Sequence, residues 1–167
     1  MLEQRVLSCQ CGQVRMVAQG APILRVVCYC DDCQAAARQL ADGGLAEPIA
    51  DPDGGTRLVL FRKDRVVTQE GMEQLVPHKL RAGSPTNRVV AGCCQTPMQI
   101  NFDKGPHWVS FFERRVSGKL PPIYARMQTR FRTSELLLPD DAASYKTFPL
   151  MLIGRLIAAK IAMMVGR

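Results

Sequence analysis

The stretch Leu24-Arg25-Val26-Val27-Cys28-Tyr29-Cys30-Asp31-Asp32-Cys33-Gln34-Ala35-Ala36-Ala37-Arg38-Gln39-Leu40-Ala41 changes character midway. Leu24 to Tyr29 is a short β-branched run and reads as a strand. Asp31-Asp32 is a helix start, followed by strong helix formers until Asp42-Gly43-Gly44 ends the helix. The cysteines sit at the junction. A Cys-x-Cys-x-x-Cys cluster there can aim three sulfurs at one metal from one turn, leaving a fourth position for another group.

Outward from this junction the pattern is mostly strand. Arg5–Ser8, Gln13–Ala18, Arg57–Phe61, Arg65–Gln69, Glu73–Val76, Arg88–Ala91, Met98–Phe102 and Trp108–Phe112 are short apolar-rich runs bounded by Gly, Pro or Cys. Turn signals at roughly ten-residue spacing predict a mainly β protein of antiparallel sheets. Glu47–Gly55 reads as a loop, and residues 113–148, with Pro121-Pro122, show no clear period. Pro149 suits the first turn of a helix over Leu150–Val165. The expected organisation is one domain over 1–148 and a C-terminal helix over 149–167, packed on the domain or on a partner subunit.

Two further cysteine groups accompany the first, Cys9-Gln10-Cys11-Gly12 and Gly92-Cys93-Cys94-Gln95-Thr96-Pro97, making seven cysteines in 167 residues. An odd number cannot all pair within one chain. The start Met1-Leu2-Glu3-Gln4-Arg5 leads into no apolar core of signal-peptide length. The expected compartment is therefore reducing and the expected location cytoplasmic, where close-spaced cysteines bind metal more often than they form disulfides. Zinc is the favoured ion over a redox pair or an iron–sulfur cluster, and seven thiolates divide naturally into a closed set of four and an open set of three. No window reaches the ~18 apolar residues of a membrane span. His78 and His107 read as ordinary surface or loop histidines.

The net charge is +7, from 22 Lys plus Arg against 15 Asp plus Glu. Arg114, Arg115, Lys119, Arg126, Arg130 and Arg132 form a basic segment interleaved with Tyr124 and Phe131. It reads as a solvated surface or an intersubunit rim. An acidic small molecule and nucleic-acid phosphates are the less favoured partners.

The three cysteine groups resemble the family of glutathione-dependent formaldehyde-activating enzymes and centromere protein V. Its pattern is Cys-x-Cys-Gly, then Cys-x-Cys-x-x-Cys, then Arg-aromatic-aromatic-Cys-x-x-Cys-Gly-Thr-Pro-Leu. The 16 residues between Cys11 and Cys28 and the 59 between Cys33 and Cys93 fit it. The resemblance spans roughly residues 5–112. The third motif departs from the pattern: in Arg88-Val89-Val90-Ala91-Gly92-Cys93-Cys94-Gln95-Thr96-Pro97-Met98, Ala91 stands at the family's first cysteine and Gln95 at its glycine.

The resemblance implies a β-tent fold around zinc. Its closed site would use Cys9, Cys11 and Cys94, with Cys93 as the fourth thiolate or else turned toward the other metal, since neighbours on a regular strand point to opposite faces. A second, catalytic zinc on Cys28, Cys30 and Cys33 would keep an open position for a small thiol such as glutathione and activate it for addition to an aldehyde, a carbon–sulfur lyase-like reaction. Arg25, Arg38 and the basic segment 114–132 are candidates for holding the tripeptide's carboxylates. The alternative is a non-catalytic, zinc-stabilised binding module for a protein or anionic partner. A homo-oligomer through the C-terminal helix is a further expectation.

Overall fold

The structure, a computed structural model, describes residues 3–166. Ten strands form two sheets. The smaller holds β1 (Gln4–Ser8), β2 (Arg15–Gln19) and β5 (Val66–Glu70), in the order β1-β2-β5. The larger holds β3 (Leu24–Cys28), β4 (Thr56–Arg62), β6 (Leu75–His78), β7 (Thr86–Ala91), β8 (Thr96–Phe102), β9 (Trp108–Phe112) and β10 (Ala125–Met127). Its order is β10-β3-β4-β9-β8-β7-β6. Among the described residues there are two α-helices, α1 (Asp31–Asp42) and α2 (Leu150–Met164).

The layering follows from β4. Its residues alternate between two apolar clusters, as successive side chains on a strand must. Val59 and Phe61 pack with Leu7, Met16 and Ala18 of the smaller sheet. Leu58 and Leu60 pack with Ala36 and Leu40 of α1 and Leu152 of α2. The large sheet is thus covered on one face by the small sheet and on the other by helices, which is why β4 is nearly continuous in apolar residues. Phe61 and Phe111 meet edge to face at 6.1 Å in the first layer, a favoured aromatic geometry.

The mainly β architecture, the helix after the middle cysteine cluster and the C-terminal helix all match expectation, with strand limits shifted by a residue or two. Two details differ. Residues 125–127 add β10, which pairs parallel to β3, so the large sheet is not wholly antiparallel. The strand is short and follows a proline-rich connection, so it carries no period-2 signal of its own. The other difference is the cap of α1, which is Cys30 rather than an aspartate. Its sulfur accepts the Cys33 N–H at 3.4 Å, while Asp31 and Asp32 sit in the first turn, where their charge favours the helix dipole.

The basic segment is solvated only in part: Arg114, Lys119 and Arg130 are exposed, as a surface reading expects, whereas Arg115 and Arg126 are buried. Arg126 is wholly buried and bonds Asp141 at 2.9 Å and the Tyr29 hydroxyl at 2.5 Å. Arg115, also buried, pairs with Glu47 at 2.7 Å. Arg114 lies 3.5 Å from Asp51, and Arg130 stacks on Phe131. Most of this charge meets groups of the chain itself, brought from loops too distant in sequence for local reading to pair. On α2, Leu152 and Leu156 face the core, whereas Leu150, Met151, Ile157, Ile161 and Met164 are exposed. Among the described residues no helix is long and apolar enough to cross a membrane.

Candidate metal centres

All seven cysteines are free thiols, and they gather into two groups. Cys9, Cys11, Cys93 and Cys94 place their sulfurs within 4.8 Å of one another, as do Cys28, Cys30 and Cys33. Among the described residues neither His78 nor His107 joins either group.

The four-thiol group joins two hairpin turns. Cys9 and Cys11 come from the β1–β2 connection, where Cys9 N–H donates to Val14 O and Gly12 N–H to Cys9 O. Cys93 and Cys94 come from the tight turn between β7 and β8. That turn answers the question of adjacency. Residues 92–95 are off the strand, so neighbouring side chains are not forced to opposite faces. Gln95 closes it with φ +53°, the left-handed conformation a glycine would adopt freely. The sulfur separations are 3.5 Å for Cys9–Cys11, 3.9 Å for Cys9–Cys93, 3.4 Å for Cys11–Cys93 and 3.8 Å for Cys93–Cys94. A tetrahedron with metal–sulfur bonds of about 2.3 Å has edges of about 3.8 Å. The donor set therefore fits a tetrahedral thiophilic ion. The Val14 N–H, 3.2 Å from the Cys9 sulfur, and the Thr96 hydroxyl, 3.0 Å from the Cys94 sulfur, bond the ligand atoms from behind, as outer partners of metal ligands do.

The three-thiol group is local. Cys28 ends β3, Cys30 caps α1 and Cys33 lies in its first turn. Hydrogen bonding with Cys28, and then with Cys33, drops Cys30 to about 3; hydrogen bonding with Cys30 pushes Cys28 up to about 12. One proton-poor sulfur is thus stabilised among neighbours, with the positive charge of Arg88 adding to the effect. In the four-thiol group burial pushes Cys93 up to about 12. Against the same desolvation, hydrogen bonds led by the Thr96 hydroxyl lower Cys94 to about 6.

The two groups differ in what surrounds them. Cys28, Cys30 and Cys33 line a cavity of about 420 Å³ between the large sheet and α2, walled mostly by apolar side chains. Arg88, on β7, lines it too, buried to 3% exposure. Sequence reading assigned Arg88 no role, although it is the arginine of the third motif. The two arginines it did favour are elsewhere. Arg25 lies on the face of β3 opposite Cys28, by strand alternation. It is held by Glu113 at 2.7 Å and by the Pro121 carbonyl at 2.9 Å. Arg38 is exposed on α1 and does not line the cavity.

Comparison with known proteins bears on the N-terminal part of the chain. Residues 4–42 match the family described as glutathione-dependent formaldehyde-activating enzyme. That segment contains Cys9, Cys11 and the whole three-thiol group, and leaves Arg88, Cys93 and Cys94 outside it. No curated protein matches the chain. Among solved structures, a Rhodobacter sphaeroides protein from a structural-genomics programme is similar with a TM-score of 0.46 and 15% identity, over 70% of this chain and 91% of that one.

Proposed function

We propose, from the likeness of residues 4–42 to the glutathione-dependent formaldehyde-activating enzymes and from the two thiol groups, a zinc protein with one structural and one working site. Cys9, Cys11, Cys93 and Cys94 hold the structural ion. Cys28, Cys30 and Cys33 would hold the second, which would activate a small thiol for addition to an aldehyde. The observation that carries this reading is the cavity in front of the three thiols. Three protein ligands facing open space suit an exchangeable fourth ligand, whereas four thiols within tetrahedral distance suit a closed site.

Zinc would supply a thiolate at neutral pH, the nucleophilic form of sulfur. The reaction adds S–H across C=O: a carbon–sulfur bond forms, the carbonyl π-bond opens, and the thiol proton ends on the oxygen. It needs no oxidant or reductant. The chain's own contribution is to shield the reacting sulfur from water between the large sheet and α2. Seven reduced thiols suit the cytoplasm. The exposed row on α2 supports a homo-oligomer contact, which light scattering reads directly.

Metal content per chain, measured by plasma mass spectrometry on protein purified without chelator, tests the reading. The expected result is two zinc ions, one released by a mild chelator and retained when a thiol ligand is present. Cys30→Ser should leave one. A single zinc, lost with Cys94→Ser but untouched by Cys30→Ser, would remove the working site and leave the non-catalytic binding module as the better account.

A further inference from the structure

The cavity in front of Cys28, Cys30 and Cys33 has a second polar feature that the metal reading does not use. Arg88 donates through Nη2 to the Asp32 carbonyl at 3.2 Å. Its Nε and Nη1 are buried and have no hydrogen-bond partner. Unpaired buried donors on a charged group are costly, and nearby thiolates offset the charge without satisfying the N–H groups. Arg88 is the one cation among the described residues lining the cavity. The Asp32 carboxylate at the rim faces outward to Arg81 at 3.1 Å. The remaining walls include Leu58, Leu60, Ile100, Trp108 and Leu152.

We infer that this cavity takes an apolar thiol carrying one anionic group, of the mercapto-carboxylate class, with its sulfur at the three-thiol centre, its acid on Arg88 and its hydrocarbon body against the leucines and Trp108. The inference rests on the metal reading above and narrows its substrate. Glutathione fits these walls poorly: it brings two carboxylates, an ammonium and two amides to a cavity with one available cation and mostly apolar lining. Each polar group left without a partner lowers affinity. A single carboxylate on Arg88 satisfies the orphaned donors through charge-assisted hydrogen bonds.

Trp108 is the only tryptophan in the chain, so its emission reports occupancy of the cavity directly. Zinc-loaded protein is titrated with 3-mercaptohexanoate, 3-mercaptohexan-1-ol, hexanoate and glutathione. The mercapto acid should bind at least about tenfold more tightly than the alcohol and than glutathione. Arg88→Met should abolish the preference for acid over alcohol while leaving the alcohol's affinity within about twofold. Equal binding of acid and alcohol by the native chain overturns the inference, as does tighter binding of glutathione. If Arg88→Met weakens acid and alcohol equally, Arg88 serves the thiol cluster and not the ligand, and the inference again fails. The native-chain comparison decides the matter even if the variant does not fold. Failure of the underlying metal reading looks different: mercaptohexanoate and hexanoate would then bind alike.

Discussion

At the scale of single residues, Gln95 and Tyr29 are each held in an unusual state by their surroundings. Gln95 adopts φ +53° between Cys94 and Thr96, where the family pattern has glycine. A left-handed non-glycine residue costs roughly 1–2 kcal/mol, partly offset by the unfolded-state entropy a glycine would add. Gln95→Gly should therefore leave stability unchanged or raise it by up to about 1 kcal/mol, whereas Gln95→Val, β-branched, should lower both stability and metal retention. Urea unfolding of the two variants checks this. Tyr29 is the second such residue. Burial pushes its hydroxyl up to about 12, helped by the neighbouring carboxylate of Asp53. A phenol raised above its unfolded value of about 10 contributes stability that is full below that pH and lost as pH climbs toward 12. Of three tyrosines, one should ionise last in an ultraviolet titration, together with alkaline loss of structure; its disappearance in Tyr29→Phe identifies it.

At the scale of elements, β4 and the two cysteine turns organise the fold. Phe61 is fully buried between the sheets, so Phe61→Ala should cost about 3–5 kcal/mol, read as a lowered urea midpoint. The turns differ in reach. The three-thiol group closes only the short connection from β3 into α1. The four-thiol group links residues 84 apart, as in the Cys9–Cys93 pair, and joins the β1–β2 connection of the small sheet to the β7–β8 turn of the large one. Thermal unfolding should therefore show a much larger loss for Cys94→Ser than for Cys30→Ser. By analogy with covalent cross-links closing loops of the two lengths, the difference is on the order of 2 kcal/mol. Equal losses would mean that the four-thiol centre is not a staple between sheets.

At the scale of the whole molecule, the large sheet carries the small sheet on one face and the helices on the other, and the cavity beside the three thiols lies on the helical side. Leu152 is at once part of the core and a wall of the cavity, so α2 couples packing to access. Leu152→Ala should cost about 2–5 kcal/mol and shift the emission of Trp108 toward that of a more solvated indole. Unchanged emission would show that α2 does not shield the cavity. The many ion pairs of the basic segment belong to this scale too. They tie late residues such as Arg126 and Asp141 to Tyr29 and Asp53, which spends the charge internally.

The sequence by itself determined the fold class and which residues supply the clustered thiols. Strand periodicity, the helix that starts at Asp31 and the spacing of the three cysteine groups are local properties, and local properties survive into the fold. They sufficed for a mainly β chain with two thiol-rich centres, and for a family likeness whose firm match covers residues 4–42. Tertiary structure alone decided the rest. Whether Cys93 joins Cys94 depends on the turn at Gln95, since the same dipeptide on a straight strand would point two ways. Whether an arginine faces the thiols depends on which strand lies beside α1. Arg25, only three residues from Cys28, is turned to the opposite face by the pleat, while Arg88, 55 residues beyond Cys33, is brought into the same cavity. Contacts across such separations are set by sheet order and register, which no local pattern encodes.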